Sequence, residues 1–414
     1  MKRPLHKHIA HHAKRFGRHF TKYLYERDTI FATAWVFIFI LMVKFLPLPN
    51  MHFLDPMKLA LEDFDFNDIA YSNLKKSKNT LLDKRIVIIN IGHADREGLS
   101  YLIEKTASMN PKIMGLDVEF HQAGDPSKDS VLRNTFQQYK NLVVVSRLDW
   151  GEKKYPEEVK GYFGPSIHQQ GYANFIGEDE GTIRLFSPFE NDKENTYLSF
   201  ASALVKNYDS IAFLKLQKRH REVEIINYSR RVNQYFMIEG EDLLAGNWGE
   251  SYIKGKIVLL GYINQERDDI EDKKFTPMNE KFAGKSIPDM NGIVVHANII
   301  SMILDSNYIK KLPSWVNILM AILIGWLHMS FFIRYYLENH IWFHLVVKFA
   351  QLLSAIFFVG LGIVLFSRFA IRLDMSLTLV VIVLAVDIIY FYEAFAVWMH
   401  KKFEYKTVFH QQHH

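Results

Sequence analysis

Three residues at alternate positions, Asp117, Glu119 and His121, sit at the end of the apolar run Lys112–Val118 and bring two carboxylates and an imidazole together. Alternate side chains of an extended strand share a face, so if the strand runs that far this spacing gathers them around a cation or a polar ligand. A single strand supplies too few ligands to define a metal site, and a buried aspartate commonly serves to accept backbone hydrogen bonds. No metal is assigned, and the three stand as candidate ligand-binding residues. Arg184 is a fourth, able to pair with Asp117 or Glu180 or to clasp an anion with both arms of its guanidinium. Tyr262 is a fifth. Ligands of open α/β sheets lie beyond the carboxyl ends of the strands, which points to Tyr262 together with Asn90, Gly92 and His93.

Other groups read more plainly. His296 carries a titratable ring, but capping or core packing is the usual fate of such a histidine. The loop Glu266–Lys274 holds Asp268, Asp269 and Asp272 without the glycine and spacing of an EF-hand, so it reads as a solvated loop. The chain has 0 cysteines, which removes disulfides, thiol catalysis and cysteine-ligated zinc together. There is no phosphate-cradling glycine loop with its lysine, no HExxH pair and no dinucleotide fingerprint. Catalysis and a bound cofactor are therefore not expected.

The elements that position these residues alternate. Arg85–Ile91 is a β-branched run, Glu97–Met109 a helical pattern, Lys112–Val118 a second strand, Ser130–Tyr139 a second helix and Asn141–Val145 a third strand. That order predicts a largely parallel sheet with flanking helices joined by right-handed crossovers. Residues 151–231 break the rhythm with polar loops, short strands at Tyr172–Phe175 and Thr182–Phe186, and a helix at Ser199–Lys206. A last strand, Lys256–Gly261, and a helix, His296–Leu304, complete the segment.

Around this soluble part, residues 49–311, the chain is apolar. The runs 29–48, 312–333, 345–366 and 375–398 each approach the roughly 20 residues that span a bilayer core. Lys2, Arg3, Lys7, Lys14, Arg15, Arg18, Lys22 and Arg27 precede the first run, so the positive-inside rule holds residues 1–28 in the cytoplasm. Lys44 can snorkel to the outer interface. Four spans then put residues 49–311 outside the cytoplasm and the tail 399–414 inside. Arg368 and Arg372 fall on the outer side, against the rule, partly offset by Asp374. No small-residue cleavage pattern follows Pro47-Leu48-Pro49, which favours an uncleaved anchor over a signal peptide.

Polar groups inside these runs are the remaining candidates. Asp387 lies near the centre of the last run, where a charge is costly. Counting depth places His328 and Glu393 at nearly one level with Lys348 close by, a polar cluster suited to helix packing or to proton or ion relay. The histidines at 6, 8, 11, 12 and 19, and at 410, 413 and 414, could bind metal at the cytoplasmic face, but basic solvated tails that touch anionic lipid are the plainer reading.

A further set of segments runs in a characteristic order: Phe64-Asp65-Phe66, the strand 86–91, the run 111–120, Gly171-Tyr172-Ala173-Asn174, Glu180-Gly181-Thr182-Ile183-Arg184, the run 255–261, Thr276-Pro277 and the run 292–298. These residues resemble the extracellular sensory domain of the second CHASE type, which is found attached to bacterial cyclases, histidine kinases and serine/threonine kinases. The resemblance implies an α/β sensory module in the periplasm of a bacterium, held by the inner membrane. Members often continue into a catalytic output domain, whereas this chain stops about 15 residues past the last span. The expectation is a sensor subunit that meets an extracytoplasmic ligand or protein and hands the signal to a separate cytoplasmic effector. The competing expectation is a structural subunit of an envelope complex. Either way the partners are membrane lipid and other subunits in a homo- or hetero-oligomer, not nucleic acid.

Overall fold

The computed structural model describes residues 23–45, 71, 82–151, 155–178, 181–192, 194–264, 270–279, 288–338 and 340–412. The segment Phe64-Asp65-Phe66, Glu180, Asp268, Asp269 and the histidines at 6, 8, 11, 12, 19, 413 and 414 lie outside these residues. The chain divides into two compact units, residues 57–309 and residues 1–56 with 310–414.

The first unit is built on a seven-stranded sheet. Its strands are β1 (Asp83–Asn90), β2 (Ile113–Leu116), β3 (Leu142–Asp149), β4 (Glu157–Val159), β5 (Gln169–Tyr172), β6 (Tyr235–Glu239) and β7 (Ile257–Gly261). They lie in the order β6-β1-β7-β2-β3, with β5 parallel to the first half of β3 and β4 antiparallel to its second half. All pairings except β3 with β4 are parallel. Every residue of β2 and β7 is buried, as expected where helices cover both faces of a parallel sheet.

Helices α2 (Arg96–Ser108) and α3 (Pro126–Gln138) follow β1 and β2. Asp95 caps α2 by accepting from Gly98 N, and Asp125 caps α3 with Pro126 in its first turn. Helix α3 thus starts four residues ahead of the expected Ser130. The acid-proline pair is its start signal. Helices α4 (Phe200–Tyr208), α5 (Ser210–Gln217) and a short α6 (Gly240–Leu244) come next.

The last helix of this unit, α7 (Gly292–Leu304), begins four residues before the expected His296, and all of its residues from Gly292 to Ile303 are buried. A β-branched stretch such as Ile293-Val294-Val295 is helical here because tertiary burial outweighs propensity. At 13 residues this apolar helix is too short to span a bilayer and long enough to form a core. Strand β6 goes unforeseen in the sequence, since its Tyr-Phe-Met-Ile-Glu run is short and lies inside a polar stretch.

In the second unit, α8 (Ser314–Glu338), α9 (Phe343–Phe369) and α10 (Ser376–Phe403) are long and apolar enough to cross a membrane. Each is longer than its apolar run, and α8 continues through Arg334–Glu338, where a loop is expected. Helix α1 (Arg27–Phe45) packs on them through Ala32 and Val36, which share a core with Ala321, Phe332, Val381 and Ala385. Gly325 lets α8 approach α10 closely: a Cβ there would collide with Val381 Cγ1.

The inner layer of the α/β unit sets a measurable limit. A Cβ on Gly171 would lie 2.7 Å from Phe200 Cα and 3.0 Å from its backbone nitrogen, so α4 packs backbone against β5. Gly171→Ala should cost about 1–3 kcal/mol. Gly249→Ala, which meets nothing within 4 Å, should stay within about 0.5 kcal/mol of the parent. Thermal or denaturant unfolding of the two variants checks this, and equal stabilities would refute the close packing.

Candidate ligand-binding site

Strand β2 ends at Leu116, so Asp117, Glu119 and His121 do not lie on one strand face. The last ladder bond on this side is Asp117 N to Leu260 O at 2.9 Å. After it the chain is pulled aside by partners outside the sheet. Arg96 reaches Gln122 O at 2.7 Å and pairs with Asp129, and Asp129 accepts from Gly124 N at 2.9 Å. Phe120 O takes the Tyr162 amide at 2.7 Å. Gly161, at φ +70°, makes this approach possible, since a Cβ there would meet Phe120 O at 2.8 Å.

The result is a cleft of about 360 Å³ at the carboxyl end of β2 and β3, lined by Glu119, His121, Arg147, Lys160, Phe163 and Asn174 among others. Asn174 braces its floor by accepting from Leu148 N at 2.8 Å and donating to Leu148 O at 3.1 Å. Arg147 lies on the second half of β3, with Nε 3.7 Å from Glu119 Oε1 and one terminal nitrogen 3.6 Å from Glu178 Oε2. His121 stands 3.5 Å from the other Glu119 oxygen, and Lys274 donates to Glu178 at 2.6 Å. A line of alternating charge therefore runs Glu119, Arg147, Glu178, Lys274, with the His121 ring beside Glu119.

Asp117 belongs to the far end of this line. A Cβ on Gly292 would lie 3.9 Å from Asp117 Oδ2 and 3.5 Å from both Asp272 oxygens, and the Gly292 amide donates to Asp272 at 3.3 Å. The two carboxyls thus flank the first residue of α7. Burial, then the charges of Asp272 and Glu119, push the Asp117 carboxyl up to about 8 against the pull of Lys274. Burial also raises Asp272, for which Lys274 is again the main opposing charge. Among the described residues no group of three or more histidine and acidic side chains has the geometry of a metal site.

Of the five candidates, the structure brings Glu119 and His121 into the cleft and leaves Asp117 outside its lining, beside Gly292. No bond between Arg184 and Asp117 is among the described contacts, and the alternative partner Glu180 lies outside the described residues. Lys274 is the cation that acts on that carboxyl, while the Arg184 charge acts on Tyr228 and its carbonyl accepts from Ile226 N at 2.9 Å. Tyr262 stands over β7, donating to Glu271 at 3.3 Å with its ring 5.3 Å from His93. Asn90 ties the neighbouring loops, accepting from Gly92 N and Ile263 N and donating to Glu239. His296 is a core residue between Phe175 and Phe200, and burial with the Lys274 charge holds its ring down to about 3.

Sequence reasoning misses Arg147, Lys160 and Glu178, and meets Asn174 only as a motif residue and Lys274 only as the end of a loop. Its one available signal is the alternation Val145, Arg147, Asp149 past the apolar part of β3.

The intramembrane cluster does not form. His328 pairs with Ser354 Oγ at 2.9 Å and Glu393 accepts from Tyr336 at 2.6 Å, so each finds its own helix neighbour. Lys348 and Asp387 are exposed on the helix surface. One heavily bonded acid of this unit, Asp28, is not singled out in the sequence. Asp28 is buried at the start of α1 and accepts from Tyr392 at 2.7 Å, Tyr405 at 3.2 Å, Thr407 at 3.0 Å and Val408 N at 2.7 Å.

The raised Asp117 carboxyl fixes a pH dependence. The folded protein holds this proton between 3.8 and about 8, where the unfolded chain has lost it. Stability contributed here falls as pH rises through that window. Asp117→Asn should raise the unfolding midpoint above the parent's at pH 8.5 and leave a smaller difference at pH 5. A variant less stable at pH 8.5 than at pH 5, relative to the parent, would show an ionised and paired carboxylate instead.

The CHASE2 domain family model matches residues 37–331, more than half of the chain. No curated protein and no solved structure matches it. The matched span holds the whole sheet, the cleft and α7, and it runs on into α8. With its extracellular-type sensory module and three apolar helices behind it, the chain belongs to the CHASE2 domain family.

Proposed function

We propose that this protein is a receptor subunit of a bacterial inner membrane whose periplasmic domain binds a small charged ligand in the Glu119–Arg147–Lys160 cleft. The observation that carries this reading is the continuity of the charged line from that cleft to the first residue of α7. Glu119, Arg147, Glu178 and Lys274 form successive ion pairs, and Lys274 acts on the two carboxyls that flank Gly292. A ligand that takes Arg147 or Glu119 changes the charge felt at Asp117 and Asp272. Helix α7 is a rod about 20 Å long, and only residues 305–313 separate it from α8. The ligand's free energy can bias the helices only through such a differential contact.

The volume of the cleft suits a ligand of metabolite size. Its walls offer Arg147, Lys160 and His121 beside Glu119, which favours a ligand with both an acidic and a basic group. In this reading α1 is a fourth span. The Asp28 contacts support it, because they seat the start of α1 beside the segment that follows α10. An even number of crossings follows, and the basic residues before α1 place that side in the cytoplasm. The change is received there by a separate effector.

A thermal-shift screen of small zwitterions, amino acids and dicarboxylates on the protein in lipid nanodiscs tests the proposal. A ligand that stabilises the parent should bind Arg147→Ala about tenfold or more weakly, the loss of one charge-assisted hydrogen bond. Its affinity for Tyr101→Ala, a change on the exposed face of α2, should be unaltered. Equal affinity for Arg147→Ala would move the site elsewhere. Recovery only as a fixed-stoichiometry envelope assembly that responds to no ligand would favour a structural subunit.

A further inference from the structure

Among the described residues, Lys348 and Asp387 are charges within the long apolar helices that make no hydrogen bond or ion pair, and they lie on one rung of one face. Tyr390 and His344 meet at 3.2 Å, and Gln351 donates to the carbonyls of Ile382 and Val383 at 2.7 and 3.0 Å. Lys348 falls between His344 and Gln351 on α9, and Asp387 falls between Val383 and Tyr390 on α10. With the helices antiparallel, those flanking contacts set Lys348 and Asp387 at the same depth. Both are exposed, and among the described contacts neither makes a hydrogen bond or an ion pair in its own chain.

The bilayer makes these two residues different from their neighbours. Exposed apolar side chains such as Leu352, Phe357, Val383 and Phe391 need no cover, because lipid tails are as apolar as they are. An unpaired aspartate twelve residues into α10 does need one. Lysine can stretch its amine toward the interface, but the short aspartate side chain cannot.

The geometry points to a second copy of this chain as the occupant of the α9–α10 face, in a dimer closed by two reciprocal Lys348–Asp387 ion pairs. A two-fold axis along the bilayer normal keeps every residue at its depth and makes the interface self-complementary. Each copy then sets Lys348 against the partner's Asp387 and Asp387 against the partner's Lys348. A face with one charge of each sign at one depth satisfies itself in this way without any other protein. The inference rests on α9 and α10 lying in a bilayer and is independent of what the periplasmic cleft binds.

Charge exchange between copies tests it. A Lys348→Asp copy carries two acids on this face and an Asp387→Lys copy carries two bases. Each variant alone should run as a monomer in nanodiscs or mild detergent. Co-expressed with different tags, the two should co-purify at least tenfold better than either does with itself, because both ion pairs are restored between them. Pairing within one chain would give no such rescue and would overturn the proposal.

A second arm keeps both charges. Since the chain has 0 cysteines, Leu352→Cys and Val383→Cys can be oxidised without background. Carried on separate copies with different tags, the two should cross-link to each other into dimers in native membranes, while Ile38→Cys, exposed on α1, should cross-link with neither. A monomeric parent, or cross-linking no greater at Leu352 and Val383 than at Ile38, would overturn it.

Discussion

A helix without a polar face has to be wrapped on every side, and α7 is such a helix. Its residues from Gly292 to Ile303 are all buried, including His296, Asn298 and Ser301. The sheet, α4 and α5 surround it, and β7 comes so near that a Cβ on Gly261 would meet Ile293 at 2.9 Å. Polar residues on such a surface must bring their own partners. Asn298 does so by bonding the backbone of Ser229, Arg230 and Val294, and Ser301 by donating to Asp83 at 2.8 Å. Asp83 is in turn held by Arg85 through two bonds, and Arg85 also reaches Asp305 just past the helix end at 2.7 Å. Both ends of α7 are therefore tied to charge, acids at Gly292 and an arginine-aspartate network at Asp305, with a close-packed apolar shaft between them.

Such packing leaves the helix no slack. The charged line at its start is poised differently. Asp117 and Asp272 share the pull of one lysine, and Lys274 is already engaged by Glu178. The balance among these groups depends on Glu178, which Arg147 also contacts from the cleft. Low dielectric around partly buried charges makes small rearrangements there energetically large.

The helical unit solves the burial of polar groups by the same logic in another solvent. Asp28 gathers four donors, Gln351 donates to two carbonyls and Glu393 takes a tyrosine hydroxyl, so each is satisfied inside the bundle. Against that pattern Lys348 and Asp387 stand out because they face outward.

The sequence by itself determined the features that depend on neighbours along the chain. The strands at 83–90, 113–116, 142–149 and 257–261 contain short apolar runs, and the long apolar helices need only length and composition to span a bilayer. The family's motif order carried the sensory module. What only the tertiary structure decided is which distant residues meet. Strand β7 arrives last in the chain, yet it fills the slot between β1 and β2. The Arg96–Asp129 pair bends the chain after Leu116, so a strand-face reading of Asp117, Glu119 and His121 fails while two of the three still reach the cleft. Arg147 and Lys160 line one cleft from separate segments, Lys274 is linked to Arg147 through Glu178, and Asp28 finds partners more than 360 residues away. Periodicity and hydropathy are local, whereas the pairing of charges is set by how strands are ordered and where loops are fastened.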